Sequence, residues 1–150
     1  MATHTPQTTD NPELIRARLK AHFLHGGSLR LLLVGGNETQ EHHDEKIRAY
    51  LRAEFLGLEV DFEHTPRTSH WDKYYERIKG RLRRYDGVVL MSLMRTQMGR
   101  ALRVLANQQG KPWFPCAGTG KTFIQYAILK AAYALIVPAS EETTGAAPPL

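Results

Sequence analysis

The chain has 150 residues, of which 42% are hydrophobic and 23% are charged, and this size and composition fit one globular domain with a single core. It contains no run of eighteen apolar residues that could cross a membrane, and its polar first ten residues lack the basic start and apolar stretch of a signal peptide. A lone cysteine, Cys116, excludes an internal disulfide, so we expect a protein of the cytoplasm, where thiols stay reduced.

The formal net charge of +5 is distributed unevenly along the chain. Residues 37–63 hold eight acidic and three basic residues, a net charge of −5, whereas residues 87–140 hold six basic residues and no Asp or Glu. Such a separation creates a field that attracts phosphates or polyanions. The alternative is that the charges maintain solubility and form a surface for a protein partner.

Regular secondary structure is predicted between residues 10 and 137, which we take as a single α/β domain. The segments on either side, 1–9 and 138–150, are rich in Thr, Pro and small residues and are predicted to be disordered tails. The first element is a helix that Asp10 or Asn11 can cap and that Gly26-Gly27 ends.

Four strands follow, each with its own pattern of apolar residues. Leu29–Val34 and Gly87–Leu93 are continuous apolar runs, typical of strands buried on both faces. Leu58–His64 alternates apolar and polar residues, as an edge strand with one face in water does. The fourth strand is Trp113–Ala117. Helices are predicted between and after these strands, at Gln40–Phe55, Trp71–Tyr85, Thr96–Gln109 and Thr122–Val137.

This alternation of strands and helices predicts a parallel sheet with helices on both of its faces. Right-handed crossovers and the wet second strand favour the strand order 2-1-3-4. The expected fold is therefore an α/β three-layer sandwich around a four-stranded parallel sheet, flavodoxin-like or half-Rossmann-like, with an extra helix at the N-terminus.

The most promising site lies where the winding of such a sheet reverses, beyond the carboxyl ends of the first and third strands. Glycine-bearing loops there can bring backbone N–H groups close to an anion, and helix N-termini carry partial positive charge. The predicted ligand-binding residues are Gly35, Gly36, Asn37, Arg95, Thr96, Gly118, Thr119, Gly120, Lys121 and Thr122. The alternative is that the glycines serve only tight turns and close helix packing.

A second basic region is the helix predicted at 71–85, whose arginines could neutralise nucleic-acid phosphates. The nucleic-acid-binding candidates are Arg77, Arg81, Arg83 and Arg84. Its aromatic residues could stack on bases, but their helical spacing with Ile78 and Leu82 favours a place in the core.

Several more specific chemistries are disfavoured by single residues. Pro115 stands where a nucleotide-hydrolase loop ending in Gly120-Lys121 would need glycine, and Thr122 stands where a thiol phosphatase using Cys116 would need arginine. His42-His43 point about 100° apart on a helix, so we expect no metal. The turn after the first strand lacks the third glycine of a dinucleotide fingerprint, and we expect no cofactor.

Three short motifs are similar to those of a known family: a first strand ending in Val34-Gly35-Gly36, a Gly110-Lys111-Pro112 turn, and a last helix opening with Gly118-Thr119-Gly120. On these motifs, residues from about 29 to 135 resemble an uncharacterised bacterial domain-of-unknown-function family of small Rossmann-like proteins. Thr96-Gln97 stands where the family carries a Ser-His pair, so no role of that histidine carries over. The resemblance implies the fold and the clustering of the loops, and the family has no established activity to imply.

These observations favour a non-enzymatic module that binds a phosphate-bearing ligand, either nucleic acid or a nucleotide, at the carboxyl ends of the parallel strands. One alternative is a small enzyme acting on a phosphorylated or nucleotide substrate, with Glu38, Glu41 or His42 as its acid or base. The other is a protein-interaction domain that forms a homodimer through the aromatic helix or an open sheet edge.

Overall fold

The computed structural model of the chain describes residues 11–36, 38–65 and 71–137. The tails predicted to be disordered, 1–9 and 138–150, lie outside the described residues, as does the candidate ligand-binding residue Asn37. The helices are α1 (Pro12–Leu24), α2 (Glu38–Glu41), α3 (Asp44–Glu54), α4 (Trp71–Arg81), α5 (Thr96–Gln108) and α6 (Lys121–Ile136). The strands are β1 (Leu29–Val34), β2 (Leu58–Glu63), β3 (Gly87–Met91) and β4 (Trp113–Cys116).

The four strands form one parallel sheet in the order β2-β1-β3-β4, which confirms the predicted α/β fold. β1 pairs with β2 along its whole length and with β3 from Leu31 to Val34, so β1 lies in the interior of the sheet. The winding reverses between β1 and β3, as predicted.

Helices cover both faces of the sheet and divide the core into two halves. Because side chains alternate across a strand, Leu31 and Leu33 pack on one face with α1, α3 and α6, whereas Leu32 and Val34 pack on the other with α4 and α5. This double burial explains why β1 and β3 are apolar throughout. Asn11 caps α1, as expected, by accepting hydrogen bonds from the N–H groups of Glu13 and Leu14.

Two helices predicted as continuous are interrupted. The helix expected at 40–55 is split at residues 42–43, where the N–H of His43 donates to the carbonyl of Gln40. This turn allows Gln40 to be buried against Gly36 and makes Asp44 the first residue of α3. The helix expected at 71–85 ends at Arg81 and tightens into a 3₁₀ turn at Leu82–Arg84, after which the Tyr85 ring is buried.

The face of β2 that was expected to be wet is buried at its carboxyl end. Glu63 is only 8% exposed, and its carboxylate accepts hydrogen bonds or ion pairs from Arg81 at 2.6 Å and from Arg77 at 3.3 Å. Arg81 also donates to the Tyr85 hydroxyl, which in turn donates to Asp61 at 2.6 Å. Burial, followed by the bond to Asp61, raises the pKa of Tyr85 and keeps this phenol a donor.

Replacing Arg81 tests this network. Arg81→Met should lower the free energy of unfolding by about 1–3 kcal/mol, because the buried Glu63 carboxylate would retain only Arg77. Urea denaturation measures the change. The matched control is Arg83→Met on the exposed side of the 3₁₀ turn, which should change stability by less than about 0.5 kcal/mol. Equal effects of the two substitutions would show that the network does not stabilise the fold.

Candidate functional site

The turn Gly35-Gly36 joins the carboxyl ends of three strands. The Gly35 N–H donates to the Glu63 carbonyl at 3.0 Å, and the Gly36 N–H donates to the Leu93 carbonyl at 2.8 Å. The Gly36 carbonyl accepts from the Thr65 N–H at 3.0 Å, and the Gly35 carbonyl accepts from His64 at 2.9 Å. All four polar backbone groups of the turn are therefore bonded within the protein.

Both positions require glycine. Their φ angles are +117° and +79°, a region that other residues avoid, and a Cβ on Gly35 would come within 2.8 Å of the Met91 Cβ. Because their N–H groups are already engaged, these two glycines are not the donors to a ligand that the sequence suggested. They shape the floor of the strand-end crevice instead.

A pocket of about 440 Å³ lies in this crevice, at the carboxyl ends of β1, β2 and β3. Of the predicted residues, the structure brings Gly36, Arg95 and Thr96 together in its wall. The remaining lining residues are Thr65, Ser92, Leu93 and Met94. No carboxylate is among the described residues that line it, so nothing described in this wall repels an anion.

The first turn of α5 forms one wall of this pocket. Arg95 is its N-cap residue, with φ −62° and ψ 138°, and its side chain makes no capping hydrogen bond. The first hydrogen bond of the helix runs from the Gly99 N–H to the Arg95 carbonyl. The N–H groups of residues 96–98 thus stand at the helix start, where they have no partner inside the helix and carry its partial positive charge.

Thr65, which follows β2, lines the same pocket, and its hydroxyl is buried. The residue is 5% exposed, and its Oγ1 has no hydrogen-bonding partner among the residues described. An unpartnered buried hydroxyl destabilises a protein by about 1–3 kcal/mol, so such a group calls for a bound water or a ligand to explain it.

A second pocket, of about 260 Å³, lies on the other side of the first turn of α5, between this helix and the ends of β3 and β4. It shares Ser92, Met94, Arg95 and Thr96 with the first pocket. Its own wall includes Gly99, Arg103, Trp113, Pro115 and Cys116. The Arg103 guanidinium lies 5.7 Å from the centre of the Trp113 ring, within the range of a cation–π contact.

The loop 118–122 lines neither of these pockets. It opens α6, which packs with α1 and α3 on the opposite face of the sheet from α5. Gly118 lies against the Phe123 ring, and its carbonyl accepts a hydrogen bond from the Cys116 thiol. Lys121 is half-buried, and the other three residues of the loop are exposed: Thr119, Gly120 and Thr122. The structure therefore does not bring Gly118, Thr119, Gly120, Lys121 and Thr122 together with Arg95 in one pocket.

The arginines of the basic helix also differ in their surroundings. Arg77 and Arg81 form the ion pairs with Glu63 described above. Arg81 is half-buried, and Arg77, Arg83 and Arg84 are exposed. Glu41 and His42, invoked for an enzyme, are exposed as well, and the side chain of Glu38 is outside the described set.

Within the described ranges, no group of three or more His, Cys, Asp or Glu residues could hold a metal ion, and no helix is long and apolar enough to span a membrane.

His64 connects the glycine turn to the start of α3 by hydrogen bonds. Its Nδ1 lies 2.9 Å from the Gly35 carbonyl and its Nε2 lies 2.8 Å from the Asp44 carboxylate. Since both partners only accept hydrogen bonds, both ring nitrogens must carry protons, and the imidazolium is the form that satisfies this geometry. Burial lowers the pKa of His64. The hydrogen bond and charge of Asp44, with contributions from Gly35 and Glu41, raise this pKa by more than burial lowers it, so the net shift is upward.

Sequence reasoning missed Thr65 and Ser92. Each directly or almost directly follows the end of a strand, so the rule that ligands lie beyond strand carboxyl ends could have found both. Ser92 links β3 to β4, because its N–H donates to the Cys116 carbonyl and its hydroxyl to the Ala117 carbonyl.

No protein-family model matches the chain, and no curated protein matches it. The resemblance of its short motifs to an uncharacterised Rossmann-like family therefore stays a prediction.

The imidazolium at His64 predicts a pH-dependent stability. Because the folded pKa lies above the unfolded value near 6.5, His64 should stabilise the fold fully below that pH and lose this effect as pH rises through the folded pKa. Compared with His64→Gln, the natural chain should be more stable by about 1–2 kcal/mol at low pH, with a smaller advantage above the folded pKa. Denaturation of both proteins from pH 5 to 9 measures this.

The groups that face His64 provide the control. Asp44 and Glu41 add negative charge, and Arg48 covers the Phe62 ring that stacks on the imidazole. Asp44→Asn should lower the pKa of His64 in an NMR titration. A pKa unchanged by Asp44→Asn, or an advantage that does not vary with pH, would contradict the assignment.

Proposed function

We propose that this protein binds a phosphate-bearing ligand in the pocket beside the first turn of α5. The proposal rests mainly on one combination: a helix N-terminus whose N-cap residue makes no side-chain cap shares a pocket with Thr65, whose hydroxyl is buried and unpartnered. Phosphate oxygens are suitable partners for both, because they accept several hydrogen bonds at once and carry the charge that a helix N-terminus favours.

The charges around the pocket support an anion. Arg95 is exposed at its mouth and takes part in none of the ion pairs of the described residues. No acidic residue occurs in the sequence from 87 to 140, so α5 and both of its flanking loops carry positive charge that no neighbour in sequence cancels. This arrangement would attract an anion from solution and hold it at the helix start.

Binding fits these residues better than catalysis. The described residues that line the pocket offer hydroxyls, a guanidinium and apolar side chains, and none of them is a carboxylate or an imidazole. The nearest acid–base pair, His64 with Asp44, has both ring nitrogens occupied. The Cys116 thiol is buried, and burial raises its pKa, so the thiolate needed by a nucleophile is disfavoured.

Thr65→Val tests the proposal because stability and binding should change independently. Valine has nearly the same shape and removes the unpartnered hydroxyl, so the free protein should be unchanged or up to about 1 kcal/mol more stable. Binding of inorganic phosphate and of ribose 5-phosphate should weaken by about three- to tenfold, because one hydrogen bond is lost. NMR titration at low salt measures the affinity and identifies the amides that respond.

The chain offers matched controls. Thr122→Val alters an exposed threonine at the start of α6 and should leave the affinity unchanged. Arg95→Gln should weaken binding and reduce its dependence on salt, whereas Arg100→Gln, which is exposed outside both pockets, should do so less. Loss of binding in Thr122→Val with none in Thr65→Val would move the site to α6, and no binding of either probe at low salt would refute the proposal.

A further inference from the structure

Gly99 is a glycine that no contact among the described residues requires. It lies in the interior of α5 with its residue buried, and its φ is not positive. A Cβ there would meet no atom nearer than 3.6 Å, with the Met94 Sδ at that distance and an Arg103 nitrogen at 3.7 Å. Glycine at such a position makes a helix less stable than alanine would by about 0.5–1 kcal/mol.

The missing side chain leaves room in the second pocket, whose wall Gly99 forms. The space is bounded by flat or polarisable groups: the Trp113 indole, the Met94 thioether and the Arg103 guanidinium held near that indole. Planar rings of nucleobases stack on aromatic side chains and on arginine planes. The side chains that line this pocket therefore have the chemistry of a site for a flat heterocycle.

The two pockets meet at the first turn of α5. They share Ser92, Met94, Arg95 and Thr96, so the two pockets adjoin each other at this turn. The first lies at the carboxyl ends of β1, β2 and β3 and the second at those of β3 and β4, so a single ligand that occupied both would lie across the end of β3.

We infer that the ligand is a nucleoside monophosphate, with its phosphate at the first turn of α5 and its base in the pocket beside Gly99 and Trp113. The inference rests on the proposed phosphate site and extends it. The volumes fit a small ligand, because pockets of about 300–1,000 Å³ hold single small molecules and the first pocket alone has about 440 Å³. A nucleic-acid chain fits less well, because Arg77 and Arg81 of α4 are already paired with Glu63.

The test compares probes that differ only in the base. Affinities of inorganic phosphate, ribose 5-phosphate and the four ribonucleoside 5′-monophosphates are measured by calorimetry and by Trp113 fluorescence, with Trp71→Phe as the background to remove the other tryptophan. At least one nucleoside monophosphate should bind about tenfold or more tightly than ribose 5-phosphate, because stacking of one base contributes that much. It should also change the fluorescence of Trp113.

Substitutions at Gly99 then locate the base. Gly99→Leu should fill the pocket and reduce the advantage of the nucleoside monophosphate over ribose 5-phosphate to about twofold or less, while the affinity for ribose 5-phosphate stays the same. Gly99→Ala, which fits without a clash, should raise the unfolding temperature and reduce the same advantage in part. Gly80→Ala, with no atom within 4 Å of the new methyl group, is the control and should leave all affinities unchanged.

Each of the other outcomes would refute a specific part of the inference. If ribose 5-phosphate binds as tightly as every nucleoside monophosphate and Thr65→Val weakens both, the base site is refuted and the phosphate site stands. If no probe binds at low salt, the phosphate site fails and the base site with it. If a ten-residue oligonucleotide binds far more tightly than any monophosphate and depends on Arg83 and Arg84 rather than on Gly99, the ligand is nucleic acid and the inference is wrong.

Discussion

The turn at Gly35-Gly36 holds the carboxyl ends of β1, β2 and β3 in one fixed arrangement. Its two N–H groups and two carbonyls are all bonded to the residues that follow or end the neighbouring strands. Both φ angles are positive, so the turn can form only with residues that tolerate this conformation. The crevice exists in its present shape because the turn packs against the strand ends and leaves the space beside α5 open.

A consequence is that the donors for a ligand come from α5 and not from the glycine turn. The winding reversal places α5 on the same face as α4, whereas α6 packs on the opposite face. The helices α5 and α6, which both begin at the carboxyl edge of the sheet, therefore have different surroundings. Among the described residues, the start of α5 and the loop before it adjoin both pockets, through Ser92, Met94, Arg95 and Thr96, whereas Thr65 from the end of β2 lines the first pocket alone.

The fold could be predicted from the sequence because its signals are local and strong. The continuous apolar runs at Leu29–Val34 and in β3 identify strands with two buried faces, and the alternation in β2 identifies the edge. The position of Arg95 and Thr96 at the strand-end pocket could be predicted in the same way, since they follow a recognisable strand. These predictions needed only periodicity and the topology rules.

The rest depended on contacts between distant residues. Glu63 continues the polar alternation of β2, yet it is buried because Arg77 and Arg81 approach it from α4. The loop 118–122 has the composition of an anion site, but the face on which α6 packs keeps it out of the two pockets beside α5. Periodicity does not encode which backbone N–H groups are already bonded, and this is why Gly35 and Gly36 were expected to offer N–H groups that are bonded within the protein.

The most direct test of the phosphate site is a crystal structure of the protein grown with ribose 5-phosphate at low salt. We expect phosphate oxygens at hydrogen-bond distance, about 2.7–3.2 Å, from the N–H groups of Thr96–Met98, with the Thr65 hydroxyl bonded to the ligand or to a water that it holds. Phosphate bound at the start of α6 or on Arg83 and Arg84, with the pocket beside α5 holding only solvent, would contradict it.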